Sequence, residues 1–339
     1  MSQSSLSGYS ERRTWLLDQV ANGRLGAGDL AGARVALGLV PGRHGWMRVI
    51  GATLLATGIA LLAAAAIFAV AFNWDRLGHF SRFAILEGLL VASVLGAWWR
   101  GAGSVAGESL MIAAVLLTGA LLALFGQTYQ TGADPYSLFV VWAVLILPWC
   151  LHARWPAAWL IWLVVANVGL ALFCHGMGGD AFFWRLFGRH EAWFAAAIAL
   201  NGLLVVAFEL MGERLDLGGR RIVPRVALLA VLLAATAILL PALSYRPFWA
   251  RDWQGGWQVL LAGAAFALTL WWTYLGKRDL PLLAATTLAG IGIGFAVFMR
   301  IIGPANEFGV LLISAAYWIG LVSAAVVWLR GLAATKEST

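Results

Sequence analysis

The sequence predicts an all-α fold: a polytopic transmembrane helical bundle of about ten spans, with a small N-terminal helical hairpin expected in the cytoplasm. Three observations carry this expectation. First, 62% of the 339 residues are hydrophobic and only 12% are charged, whereas soluble domains are nearer half apolar and a quarter charged. Second, the mean hydropathy is +0.84, more apolar surface than a water-soluble fold of this length can hide. Third, the apolar residues fall in runs near the 20 or so that a helix needs to cross about 30 Å of hydrocarbon.

Ten runs meet that length, at about 47–72, 80–99, 107–126, 136–152, 155–174, 191–212, 223–243, 257–275, 280–300 and 307–329. Between the fourth and fifth stand only His152, Ala153 and Arg154, with Pro148 before and Pro156 after. Proline ends or kinks a helix, so both a tight turn and a re-entrant pair fit there. The expected organisation is a head over 1–46, a four-span block over 47–152, a block of about six spans over 153–330, and a short tail over 331–339.

Orientation is read from the basic residues. With the N-terminus placed inside, sixteen Lys and Arg fall on the inner side and seven on the outer, which predicts cytoplasmic termini in a bacterial inner membrane. Without the N-terminal tail the balance falls to ten against seven. The segments GERLDLGGRRIVPR and GKRD are the strongest inner markers in the body. Of 19 tryptophans, Trp46, Trp74, Trp98, Trp99, Trp155, Trp193, Trp249, Trp253, Trp257 and Trp328 lie near span ends, where an indole keeps its N–H wet and its ring buried. The first 46 residues hold no apolar core of signal type, so the first long run is expected to act as an uncleaved anchor.

The net charge of +7 would raise nucleic acid as a partner in a soluble protein. Here the charge is scattered through short breaks with no run of five basic residues, so the sequence argues against nucleic-acid binding. The expected partner is the lipid bilayer. In the head, Ser10 can cap a helix reaching Ala21, Asn22-Gly23 breaks it, and a second short helix is expected from Asp29 to Leu39 before Pro41-Gly42. Two such helices bury little alone, so the head is expected to pack on the membrane domain or on a protein partner. The two cysteines, Cys150 and Cys174, fall near opposite sides of the membrane and cannot pair. No metal-ligand spacing occurs, and no metal or cofactor is expected.

Part of the chain resembles a known family. The segment WLLDQVANGRL, the Asn73-Trp74 pair after the first span, and the block GESLMIAAVLLTGALLALFGQTYQTGADPYSLFVVWAVLILP are similar to the bacterial membrane proteins grouped as domain of unknown function 2157. The matching positions are Trp15, Gly23, Asn73, Trp74, Gly107, Glu108, Gly126, Gln127, Tyr129, Gln130, Asp134, Leu138, Trp142 and Pro148, over about 10–150. The resemblance implies an inner-membrane location and, as the family's name says, no assigned activity.

Polar side chains inside lipid are costly and point to function or to helix pairing. Glu87 lies inside the second span; it can serve as a proton-coupled site, pair with Arg82 or Arg76, or hydrogen-bond a neighbouring helix. Asn167 and Asn201 lie mid-span in similar stretches, AWLIWLVVANVGLALF and AWFAAAIALNGLLVVAF, and suit an interhelical hydrogen bond or a substrate contact. Glu108 follows Gly107 at a helix start, where a carboxylate meets the positive helix end. Glu209 and Glu213, near Arg214, read as a solvated inner-face cluster. The outer segment GQTYQTGADPYS gathers Gln127, Tyr129, Gln130 and Asp134 without a Lys or Arg. It reads either as a polar binding loop or as a turn opened by Asp134-Pro135. Small residues at Ala52, Ala56, Ala60 and Ala64, and at Gly290, Gly292 and Gly294, allow close helix packing.

Catalytic motifs are missing, and the five histidines (His44, His79, His152, His175 and His190) show no metal spacing. The sequence therefore favours a structural or accessory membrane protein over an enzyme. The alternative is a transporter or channel for a small polar solute or ion, built on Glu87, Asn167, Asn201 and the GQTYQ segment. An enzyme acting on lipid or cell-wall precursors through Glu108 and Asp134 is disfavoured, because the two are expected at opposite faces.

Overall fold

Apolar runs of this length form helices because lipid offers backbone groups no hydrogen-bond partner other than each other. The computed structural model describes residues 9–26, 28–39, 42–73, 75–101, 103–130, 132–153, 156–176, 192–215, 221–244, 256–276, 279–302 and 307–338. These residues fold as twelve helices with no strand among them. Two short ones lead: α1 (Tyr9–Ala21) and α2 (Leu30–Ala36). Ten long ones follow: α3 (Arg43–Phe72), α4 (His79–Arg100), α5 (Val105–Tyr129), α6 (Pro135–Ala153), α7 (Pro156–Gly176), α8 (Ala192–Leu215), α9 (Ile222–Ser244), α10 (Gly256–Trp271), α11 (Leu280–Ile302) and α12 (Glu307–Ser338). The last turn of α10 widens into a π turn over Trp272–Gly276. All ten are long and apolar enough to cross a membrane.

The boundaries follow the expected ones closely, with informative exceptions. The fourth and fifth spans are separate helices of 19 and 21 residues, each long enough at about 1.5 Å per residue to cross the hydrocarbon layer. Pro148 sits inside α6 rather than at its end. Helix α5 continues through Gln127, Thr128 and Tyr129 and stops only at Gln130, which adopts the left-handed conformation (φ 44°). The first third of the expected polar outer loop, Gly126 to Tyr129, is thus the last turn of a helix. Helix α12 runs to Ser338, past the expected end of its span.

Two helices anchor the packing. Helix α5 lies against α3, α4, α6 and α7, and α9 lies against α7, α8, α10 and α11. They are also the most buried spans, with 44% and 50% of their apolar windows inside the bundle. Around α5, Val70, Leu86, Leu117 and Leu124 join α3, α4 and α5, and Val115, Ala143, Ile146 and Val165 join α5, α6 and α7. Around α9, Ala197, Ile198, Val231, Ala235, Ile238 and Ala262 form one core. The outer surface carries many large apolar side chains, Phe72, Phe80 and Leu62 among them, which suits lipid as the surrounding solvent. Helix α12 rests on α11, and none of its apolar window is buried.

The head has one described link between its helices: the Arg12 Nη1 donates to the Leu37 carbonyl at 3.2 Å. Trp74, Trp155, Trp249 and Trp253, and the basic residues Arg154, Arg185, Arg189, Arg220, Arg246, Arg251, Lys277 and Arg278, lie outside the described residues, as does His190. Of the other span-end tryptophans, Trp46, Trp98, Trp99 and Trp328 are exposed.

Candidate functional site

A mid-span polar contact joins α7 to α8. Asn167 Nδ2 donates to Asn201 Oδ1 at 3.1 Å, and Asn201 Nδ2 donates to Asn167 Oδ1 at 2.7 Å. Each amide also donates to the carbonyl four residues before it, Asn167 to Leu163 and Asn201 to Ala197, both at 2.8 Å. Both N–H donors of each amide are thereby used. The similar sequence stretches around the two asparagines produce matching environments on the two helices. Asn201 is fully buried. The hydroxyls of Thr118, Thr269, Thr273 and Thr286 are satisfied within their own helices, each donating to the carbonyl four residues back.

The other sequence-selected residues stand apart from this pair. Glu87 lies on an exposed face of α4, a helix that packs on α5 and α3. Arg82, five residues before Glu87 and so one beyond the ideal helical spacing, sends its Nε back to the Leu77 carbonyl at 3.0 Å. Gln127, Tyr129, Gln130 and Asp134 are exposed at the α5–α6 connection. There the Tyr129 ring lies tilted against Phe125 and Phe83, at centroid distances of 4.7 and 6.2 Å. Asp134 uses its backbone carbonyl to accept from the Ser137 N–H and hydroxyl, the geometry of a helix start with Pro135 at its first position.

An ionic cluster at one bundle end was only partly legible. Glu209 near the end of α8 pairs with Arg221, the residue just before α9. Arg225, in the first turn of α9, donates from Nε to Asp279 Oδ2 at 2.7 Å, with Arg221 Nη1 4.0 Å from the same oxygen. Glu209 is therefore a tethered, partly buried group rather than a solvated one; its side chain is 17% exposed. Glu213 and Arg214 have side chains outside the described set. Asp279 is the residue that sequence reasoning missed. Its signal was its place directly before an apolar helix, where its carbonyl accepts from the Leu283 N–H. Its own N–H is held by the carbonyl of Thr273 in the π turn at 3.1 Å, so this residue ties α9, the π turn and α11 together, through its carboxylate to α9 and its backbone to the other two. Cys150 and Cys174 are both free thiols.

A cavity of about 340 Å³ opens where α4 ends, α5 begins and α6 ends. The turn between α4 and α5 needs glycine at 101, with φ +81°. Gly107 brings the α5 backbone against it; a Cβ there would lie 2.5 Å from the Gly101 carbonyl oxygen. Ser104 caps α5, accepting from the Gly107 N–H at 3.0 Å, and Glu108 follows in the first turn. Among the described residues no cluster of His, Cys, Asp and Glu could hold a metal ion.

The run from α3 to the start of α7 holds this cavity, the capped α5 and the Gly-Gln-x-Tyr-Gln segment. Residues 39–159 match the family described as Predicted membrane protein (DUF2157). The DUF2157 segment begins after α1 and α2, so Trp15 and Gly23 lie outside it, and it reaches nine residues beyond the expected end at about 150. No curated protein and no solved structure matches the chain.

Proposed function

We propose that this multi-pass protein is a structural or accessory component of the bacterial inner membrane, with both termini in the cytoplasm and α1–α2 as a docking point for a protein partner. The observation that carries this reading is the closed Asn167–Asn201 pair. Intramembrane amides that spend their donors on each other and on their own helices act as helix locks, whereas a permeation path keeps polar groups facing water. The ion pairs at the α8–α9–α11 end support the same reading, because they join helix termini. Support for the cytoplasmic termini comes from the excess of basic residues on the N-terminal side and from the even number of spans.

The transporter alternative needs Glu87 to converge with the two asparagines, and Glu87 stands on a helix that packs elsewhere. The test is reconstitution of the full chain in liposomes. The accessory reading expects proton and small-solute flux equal to that of protein-free vesicles. Flux that falls in Glu87→Gln or in Asn201→Leu overturns it. A pull-down with and without residues 1–45 tests the head; identical partners remove the docking role. Orientation is tested by Asp134→Cys and Thr14→Cys in a Cys174→Ser background. A membrane-impermeant maleimide should label the first in intact cells and the second only after lysis.

A further inference from the structure

We propose that the groove between α10, α11 and α12 holds one acyl chain of a phospholipid, drawn from the leaflet on the Trp328 side. The groove encloses about 350 Å³. Phe266 and Leu270 of α10, Gly290 and Ile291 of α11, and Leu321 and Trp328 of α12 line it. Among the described lining residues none is charged. The three hydroxyls of the wall are spent as donors: Thr286 on the Leu282 carbonyl, Thr287 on the Leu283 carbonyl and Tyr317 on the Ile291 carbonyl. A polar ligand would shed its water there and meet no charged partner, so the wall selects an apolar occupant.

The shape of the groove identifies that occupant. Aromatic contacts close it at both ends. At one end Tyr317 packs on Phe295 and Phe298, with ring centroids 5.3 and 5.0 Å apart. A Cβ on Gly294 would lie 2.7 Å from the Tyr317 hydroxyl, so this ring sits directly on the α11 backbone. At the other end Trp328 meets Tyr274 at 5.7 Å. From Tyr317 to Trp328 the α12 axis advances about 16 Å at the helical rise. Half of a ~30 Å hydrocarbon layer is about 15 Å, the depth that one acyl chain spans from headgroup to midplane. Trp328 lies near the end of its span, where tryptophan marks the headgroup zone, and Tyr317 lies toward the middle. The volume spread over that length gives a cross-section of about 20 Å², whereas a helix about 10 Å across needs roughly four times as much. A helix of a second copy is too thick for the groove, and a single hydrocarbon chain is slender enough to lie in it. The open side faces lipid, since none of the α12 apolar window is buried. Left empty, the walls would forfeit their dispersion contacts. The site is independent of whether the head docks a protein partner.

The experiment uses the full-length protein in mild detergent, read by native mass spectrometry. The probes are phosphatidylethanolamine, phosphatidylglycerol with the same acyl chains, and lysophosphatidylglycerol, which carries one chain. The expected result is one tightly retained lipid per polypeptide, held to the same degree with either headgroup and with one chain or two. Leu321→Trp and Gly290→Leu fill the groove from its two sides. Each should lower retention about tenfold, the effect of displacing two buried methylenes. Leu321 is exposed, so its variant keeps the test open if Gly290→Leu does not fold. Ile319→Trp, at an exposed position on the other side of α12, should leave retention unchanged. Full retention in Leu321→Trp overturns the proposal. A tenfold preference for one headgroup also overturns it and moves the site to the polar zone. A dimer mass that Leu321→Trp abolishes overturns it as well, because the groove then belongs to a second copy.

Discussion

Asn167 and Asn201, 34 residues apart in the chain, close a reciprocal amide pair between α7 and α8. Replacing either one leaves the other with an unmet N–H and carbonyl inside the bundle. Asn201→Leu should therefore lower stability by about 1–2 kcal/mol. The double variant Asn167→Leu/Asn201→Leu removes both polar groups and should recover a large part of that loss. The coupling from a double-mutant cycle on melting in detergent is expected at about 0.5–2 kcal/mol. Additive losses would mean that each amide is held by its own helix and not by its partner.

The Arg225–Asp279 pair is asymmetric in burial: the arginine side chain is 42% exposed and the aspartate 3%. Arg225 without Asp279 can extend to water, while Asp279 without Arg225 keeps its charge in the protein with only the longer 4.0 Å contact to Arg221. Arg225→Met should thus destabilise by about 2–4 kcal/mol, and Asp279→Asn by less, about 1–2 kcal/mol. Urea or thermal unfolding of the two variants side by side checks the order. Equal losses would place both groups in the same solvent-reached environment.

What the sequence could and could not reveal follows from the range of each interaction. Span positions depend on local composition, so the runs that form α4, α6 and α9 were legible to within a residue or two. The end of α5 was not, because Gln127 and Tyr129 look like loop residues. Their helical state rests on Tyr129 packing against Phe125 and Phe83, the latter on another helix. The two asparagines were visible as costly residues needing partners, and their similar flanks hinted at each other. Arg225 and Asp279 lie 54 residues apart, and each looked like a topology marker, since charge at a span end has that simpler explanation. The cavity was illegible because Trp98, Glu108 and His152 come from three helices whose mutual rotation composition does not set.

Gly119 sets the approach of α6 to α5. A Cβ at this position would lie 2.5 Å from the Trp142 indole, and that indole donates from Nε1 to the Val115 carbonyl at 2.9 Å. Gly119→Ala must push the ring aside or open the helix pair, at a cost of about 1–3 kcal/mol. Trp142→Phe, which removes the second ring and its hydrogen bond, should make Gly119→Ala nearly neutral. A drop in Tm of the same size in both backgrounds would show that the glycine acts through helix propensity and not through this contact.

Glu87 is the exposed carboxylate of α4, in a helix whose neighbouring exposed residues include Phe80, Ile85 and Val91. Nine residues into a 22-residue span, it faces the surface that lipid covers, and a polar group there costs free energy in proportion to its depth. Glu87→Leu should therefore stabilise the protein in a bilayer by about 1–3 kcal/mol, while the same change should matter little in a detergent that admits water to the helix surface. The measurement is unfolding in bicelles against unfolding in short-chain detergent. A loss of stability in the bilayer would reverse the argument, because it would require a partner for this carboxylate that comes from a second polypeptide and not from lipid.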